Sequence, residues 1–310
     1  MPILTSSAST PPHTQPLQGV RILSLALNLP GPAALMRCQQ MGAVCSKLEP
    51  IASNGQSSAD PMHHYSPSAY AQLHHGIHIF ESNLKSEAGQ HLLHTHLDQT
   101  DVLLTSFRPS ALEKLGLSWE SLHQRHPQLC MVHIYGSTTP EAADHAGHDL
   151  TYQAEAGLVV EGHLPASLFA DMTGAVMASE AILQTLLVRA RSGSGHCMDV
   201  GLAQAAHWLA MPRQWQMTTP QGDVGGAHAG YRMYRCADGW VAVAALEPHF
   251  AQRLCQAAGL ASLSGSVEQM RCPTVHTTIE AFMQRHSLAE ITAMSTQSDI
   301  PLQAISSTYK

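Results

Sequence analysis

The sequence predicts an α/β protein: a Rossmann-like open parallel sheet in a large domain, followed by a smaller α+β domain. Three observations carry this. Short apolar runs alternate with helical stretches over residues 20–202, the first of them form a strand, turn, helix, strand succession, and the texture changes after about residue 205. At 310 residues and 44% hydrophobic, the chain is long enough to bury two cores.

Residues 1–16 are rich in Ser, Thr and Pro and read as a disordered leader. The large domain is expected over 17–204. It opens with a buried strand over 20–25, a turn at Pro30-Gly31-Pro32, and a helix over 33–41 that ends at Gly42, where a missing Cβ suits the C-cap. A second strand over 43–49 completes a βαβ unit, which requires parallel pairing. The alternation continues with a helix over 87–97, a strand over 101–105, a helix over 119–126 behind Ser118 as its cap, and a strand over 129–134. Ligands are expected at the carboxyl ends of such strands. A long Ala-rich helix over 171–191 stops at Ser192-Gly193-Ser194-Gly195, and a strand follows over 198–202. The remainder, 205–310, reads as a linker and small domain. Its clearest feature is a hairpin over 231–243 turning at Asp238-Gly239.

Composition excludes several classes. Net charge is −7 with only 16 Lys and Arg and no basic block, so the chain lacks the clustered cations that nucleic-acid binding needs. Seven Cys without a CxxC pair read as reduced thiols. The first residues carry neither a basic n-region nor an apolar h-region, and no stretch approaches the roughly 20 apolar residues of a membrane span, so a cytoplasmic protein is expected. The 21 His include His63-His64 and His74-His75, yet no spacing closes a three- or four-ligand set, and no metal is expected.

Several segments in order resemble one family: Leu17-Gln18-Gly19-Val20-Arg21-Ile22-Leu23 with the Pro-Gly-Pro after it, Met41-Gly42-Ala43-Val44 leading to Lys47-Leu48-Glu49-Pro50, Asp101-Val102-Leu103-Leu104 with Phe107-Arg108-Pro109, Leu115-Gly116-Leu117, Ala146-Gly147-His148-Asp149, Ala170-Asp171-Met172-Thr173-Gly174, and Cys236-Ala237-Asp238-Gly239-Trp240-Val241. Over about 17–305 the chain is similar to the family III CoA-transferases, nearest the α-methylacyl-CoA racemase branch. The resemblance implies coenzyme A as a thioester substrate, no metal or redox cofactor and an intertwined homodimer; that neither nucleic-acid nor membrane partners are expected follows from the composition above.

It also implies roles. Asp171 is the reacting carboxylate, either the nucleophile of CoA transfer or a base at the α-carbon of an acyl-CoA. From the residues alone, an Asp at the head of a helix equally serves as its cap. His148 is the second base of a racemase, on the other face of the enolate, or else a loop His that only hydrogen-bonds. Glu247, before Pro248, is the carboxylate that orients that His, or else an exposed Glu at a helix start. Lys47 and Arg108 would meet CoA phosphates, and the turn at Gly31 and Pro32 would let backbone approach the nucleotide.

The sequence departs from the family pattern in places. The third-helix approach reads Leu73-His74-His75-Gly76-Ile77 where a basic residue is usual, Asp60-Pro61 has no Arg after it, and Gly136-Ser137-Thr138-Thr139-Pro140 replaces a Gly-rich stretch. The family's C-terminal return to the large domain is expected to be absent, since the chain stops at Lys310. Racemisation, CoA transfer and a degenerate CoA-binding relative all remain open at this point.

Overall fold

The computed structural model describes residues 15–52 and 56–305. Of the leader expected over 1–16, all but Gln15 and Pro16 lies outside the described residues. Two compact units divide the chain, one running to Leu209 and one from Ala210.

The first unit is a six-stranded parallel sheet in the order β3-β2-β1-β4-β5-β6. Its elements in sequence are β1 (Arg21–Ser24), α1 (Pro30–Gln40), β2 (Val44–Glu49), α2 (Pro61–Tyr65), α3 (Pro67–Leu73), β3 (His78–Glu81), α4 (Glu87–Leu97), β4 (Val102–Thr105), α5 (Pro109–Lys114), α6 (Trp119–Arg125), β5 (Cys130–Tyr135), α7 (Asp149–Glu155), α8 (Phe169–Ser192), β6 (Cys197–Gly201) and the start of α9 (Leu202–Gln214). The central strands are apolar on both faces because helices cover both. Val102, Leu104, Cys130, Val132 and Ile134 join a core with α1 and α8, while Leu103 and Met131 face the opposite core with α4, α5 and α6.

Pro30-Gly31-Pro32 is the first turn of α1 and not a separate turn before it. A proline at the first helical position sacrifices only an N–H that has no intrahelical partner. Gly31 lies where an added Cβ would sit 2.1 Å from the Ala26 Cβ, so its absence lets the helix start press against the exit of β1. The edge strand β3 and the short helices α2 and α3 carry too few apolar residues to be read from periodicity.

In the second unit, β7 (Tyr231–Arg235) and β8 (Trp240–Ala244) form the expected hairpin, extended by β9 (Leu302–Ala304) into an antiparallel three-stranded sheet. Four helices follow β8: α10 (Pro248–Ala257), α11 (Val267–Met270), α12 (Pro273–Gln284) and α13 (Leu288–Ser298). Val241 and Val243 point into a core with Leu254, Ile279 and Met283, whereas their neighbours Trp240 and Ala244 are exposed. That period-two split is the mark of a sheet with one covered face. No described helix is long and apolar enough to cross a membrane.

Candidate active site

The order of the parallel sheet reverses between β1 and β4, and at such a switch point the loops leaving the strand ends diverge and open a crevice. A cavity of about 260 Å³ lies there. Leu27, Asn28 and Pro30 line it beyond β1, Ser106 and Arg108 beyond β4, and Tyr135 and Gly136 at the end of β5; Gly147, His148, Tyr152 and Asp171 close it.

Asp171 is the third residue of α8, whose N-cap is Leu168, so Asp171 does not cap the helix. The capping alternative read from sequence is corrected here, because the helix starts two residues earlier than its Ala-rich pattern suggested. The role falls to another helix: Asp149, only 5% exposed, accepts the Asp171 N–H at 3.0 Å on Oδ1, and its Oδ2 accepts the Gln153 amide. Burial, and then the neighbouring Asp149 carboxylate, push the Asp171 carboxyl up from 3.8 to about 7. A helix N-terminus by itself favours the ionised acid, so at this site burial and like charge outweigh the helix dipole.

His148 is the N-cap residue of α7 and is exposed. Its N–H donates to Thr151 Oγ1 at 3.0 Å and its carbonyl accepts from the same hydroxyl at 2.7 Å, which holds the backbone by a side chain other than its own. One turn on, Tyr152 is buried. A Cβ at either Gly136 or Gly147 would come within 2.5 Å of its hydroxyl, so both glycines make room for the phenol. Burial and then the charge of Asp171 raise the Tyr152 phenol, against the opposing pull of Arg108, so it stands as a protonated donor.

Arg108 is exposed at the N-cap of α5. Beneath it the buried His133 bonds to the Phe107 carbonyl through Nε2 at 2.6 Å, and its Nδ1 lies 3.4 Å from Asp199. A carbonyl only accepts, so Nε2 carries the hydrogen. Asn28 has φ of 64°, the left-handed region that disfavours most residues other than Gly.

The structure thus brings Asp171, His148 and Arg108 to one cavity and leaves the other sequence-derived candidates outside it. Gly31 and Pro32 are buried in α1 and do not line it, although Pro30 does. Lys47 is fully buried, its ammonium 2.6 Å from Asp60 and 2.8 Å from Glu49, so it presents no charge to a ligand. Glu247 belongs to the second unit, exposed at the N-cap of α10, and every lining residue belongs to the first. Among the described residues, Glu49, Asp60 and His74 have metal-ligand proximity, but the Lys47 ammonium bonds to all three. Asn28, Tyr135 and Tyr152 were not read from sequence. Tyr152 carried a signal, since it stands four residues after His148 on a helix, where i and i+4 share a face.

The chain is similar in sequence and in fold to known proteins. The chain is 29% identical over 263 residues to the α-methylacyl-CoA racemase of Mus musculus, covering 79% of this chain and 65% of that protein. It is also 29% identical over 281 residues to the succinyl-CoA–D-citramalate CoA-transferase of Chloroflexus aurantiacus, covering 83% and 68%. The chain therefore spans 65% of the length of the racemase it matches. The crystal structure of a hypothetical protein from Mycobacterium tuberculosis shares the fold, with a TM-score of 0.80 at 22% identity over 95% of this chain and 85% of that one. The family model described as CoA-transferase family III matches residues 17–310, and the chain belongs to that family.

Proposed function

We propose that this chain acts on acyl-CoA thioesters by α-proton transfer, as a racemase or epimerase. The observation that carries the reading is the shared cavity: His148 and an Asp171 carboxyl that titrates near neutrality line one space at the strand ends. A group poised near the working pH can both take and return a proton. Ionised Asp171 removes the α-proton, the C–H electron pair moves into the thioester carbonyl as an enolate, and protonated His148 delivers a proton to the opposite face. The reverse direction exchanges the two roles, and no atom is gained or lost. Tyr152 donates toward the charge that develops.

CoA is anionic, and Arg108 answers its phosphates. A groove of about 480 Å³ between Leu48, Pro50, Leu84, Phe107 and Leu115, with Lys85 at its edge, offers an apolar slot with a cation for the nucleotide. Gly31 and Pro32 contribute by shaping the turn from within. Neither the proton transfer nor CoA binding as written needs a metal or redox cofactor.

A homodimer fits the outer face of α8. Phe169, Met172, Val176, Leu183 and Leu187 are all exposed on one stripe opposite the buried Ala170, Ala175, Ala178 and Ala181. A contiguous apolar face of this kind marks an interface. The free thiols of all seven Cys suit a reducing cytoplasm.

Relatives named as CoA-transferases favour a second reading, in which ionised Asp171 attacks the thioester carbonyl and expels CoA thiolate to give an aspartyl acyl anhydride, and the thiolate then attacks the aspartyl carbonyl, releasing the carboxylic acid as carboxylate and leaving aspartyl-CoA. Incubation with a 2-methylacyl-CoA in deuterated water, with and without hydroxylamine, separates the two. α-Deuterium uptake without a trapped Asp171 hydroxamate is expected. A hydroxamate without uptake assigns transfer, and CoA binding with neither, across a broad acyl panel, sinks both and leaves a non-catalytic CoA binder.

A further inference from the structure

Lys47, Glu49, Asp60 and His74 are 0%, 1%, 0% and 6% exposed, and the cavity does not use any of them. An ammonium has three protons, and each has an acceptor: Asp60 Oδ2 at 2.6 Å, Glu49 Oε1 at 2.8 Å and His74 Nε2 at 3.0 Å. The tautomer of His74 follows, since its Nδ1 meets the Tyr70 carbonyl at 2.7 Å and must bear the hydrogen, leaving Nε2 to accept. Glu49 is satisfied in turn by the Tyr70 hydroxyl at 2.7 Å and the Ser58 hydroxyl at 2.6 Å. A buried ion pair costs desolvation that only complete satisfaction offsets, and such groups are retained more for the geometry they impose than for stability.

The geometry imposed here ends at the cavity. The second oxygen of Asp60 accepts the Asn28 N–H at 3.0 Å and the Met62 N–H at 2.9 Å. Asn28 is the left-handed residue on the cavity wall, between Leu27 and Pro30. An isolated Asp could rotate between these donors and others; Lys47 fixes one oxygen and so aims the other.

We infer that the buried Lys47–Asp60 pair, completed by Glu49 and His74, is a positioning device that holds Asn28 in its left-handed conformation and so sets the wall of the cavity that Asp171 also lines. Lys47 then acts through Asp60 and Asn28 and never touches substrate. The inference concerns the cavity assigned above to acyl-CoA, and its kinetic test rests on that reading.

The test uses the Lys47→Met/Asp60→Ala variant, which removes the pair and the aiming contact together, in the full chain. Deuterium uptake from a 2-methylacyl-CoA is expected to lose about tenfold or more in kcat while KM stays within threefold, because wall geometry and not substrate affinity is disturbed. Adding Asn28→Gly, which takes the left-handed conformation without steric cost, is expected to restore at least a third of that loss. An unchanged kcat in the folded variant, or a loss that Asn28→Gly does not relieve, overturns the inference. Should the double variant fail to fold, Asp60→Asn is used, since one amide cannot serve both the ammonium and the two N–H groups. A crystal structure of whichever variant folds decides independently of activity: residue 28 leaving positive φ supports the device, and residue 28 unmoved refutes it. If the unaltered chain neither binds acyl-CoA nor exchanges deuterium, the functional reading fails while the crystallographic arm still judges the device.

Discussion

The Asp171 N–H donates to the Asp149 carboxylate at 3.0 Å, so the Asp171 carboxyl sits near a second, buried carboxylate. With burial, that charge holds the Asp171 carboxyl near 7, and the pH behaviour of the protein follows from it.

Rates should depend on pH in the same sense for the two C2 epimers of one acyl-CoA. Either direction needs one proton on the Asp171–His148 pair, on His148 where Asp171 is the base and on Asp171 where it is the acid, so both profiles share a limb near pH 7 set by Asp171. Measuring deuterium uptake from each epimer on both sides of that limb checks this, and profiles that run in opposite senses would contradict it.

Stability carries the same signature. The unfolded carboxyl ionises near 3.8 and the folded one near 7, so the folded state binds more protons between these values and loses stability as pH rises through the window. Asp171→Asn removes that loss. The variant is expected to match the unaltered chain near the lower end of the window and to exceed it above the upper end, by roughly 1–2 kcal/mol after solvent screening. Thermal melts at both ends of the window read it directly.

Asp149→Asn keeps an acceptor for the Asp171 N–H but removes the neighbouring charge. Burial remains the larger cause, so the limb should move down by only about half a unit to one unit. A limb that drops to the ordinary carboxylate range would show that Asp149, not burial, dominates.

Gly147→Ala would place a Cβ 2.5 Å from the Tyr152 hydroxyl and 2.6 Å from its ring. Overpacking of this kind costs about 1–3 kcal/mol, and displacement of the phenol should lower kcat about tenfold. Denaturant unfolding and exchange kinetics on the same variant measure the two effects separately.

Leu187→Glu on the exposed stripe of α8 is expected to convert a dimer to a monomer without lowering stability, since Leu187 is 54% exposed in the single chain. Sedimentation of both proteins checks it; an unaltered chain that sediments as a monomer removes this face as a self-interface.

Much of the architecture was legible before any coordinates. β4 and β5 are mostly apolar because helices cover both sheet faces, and α4 spans 87–97 as its sequence predicts. The edge strand β3, the short α2 and α3, and β9 escaped because one covered face or one turn leaves no period to count.

The sequence alone determined an open parallel α/β sheet, the family, and the residue types at Asp171, His148 and Arg108, since local propensity and motif order live within short windows. Only the tertiary structure decided what those residues meet. Asp171 lies next to Asp149, 22 residues away, and Lys47 lies in the centre of a closed box and not on the surface. Both depend on burial and on contacts across the chain, and a charge read without its surroundings looks the same whether it faces water, a ligand or another buried charge.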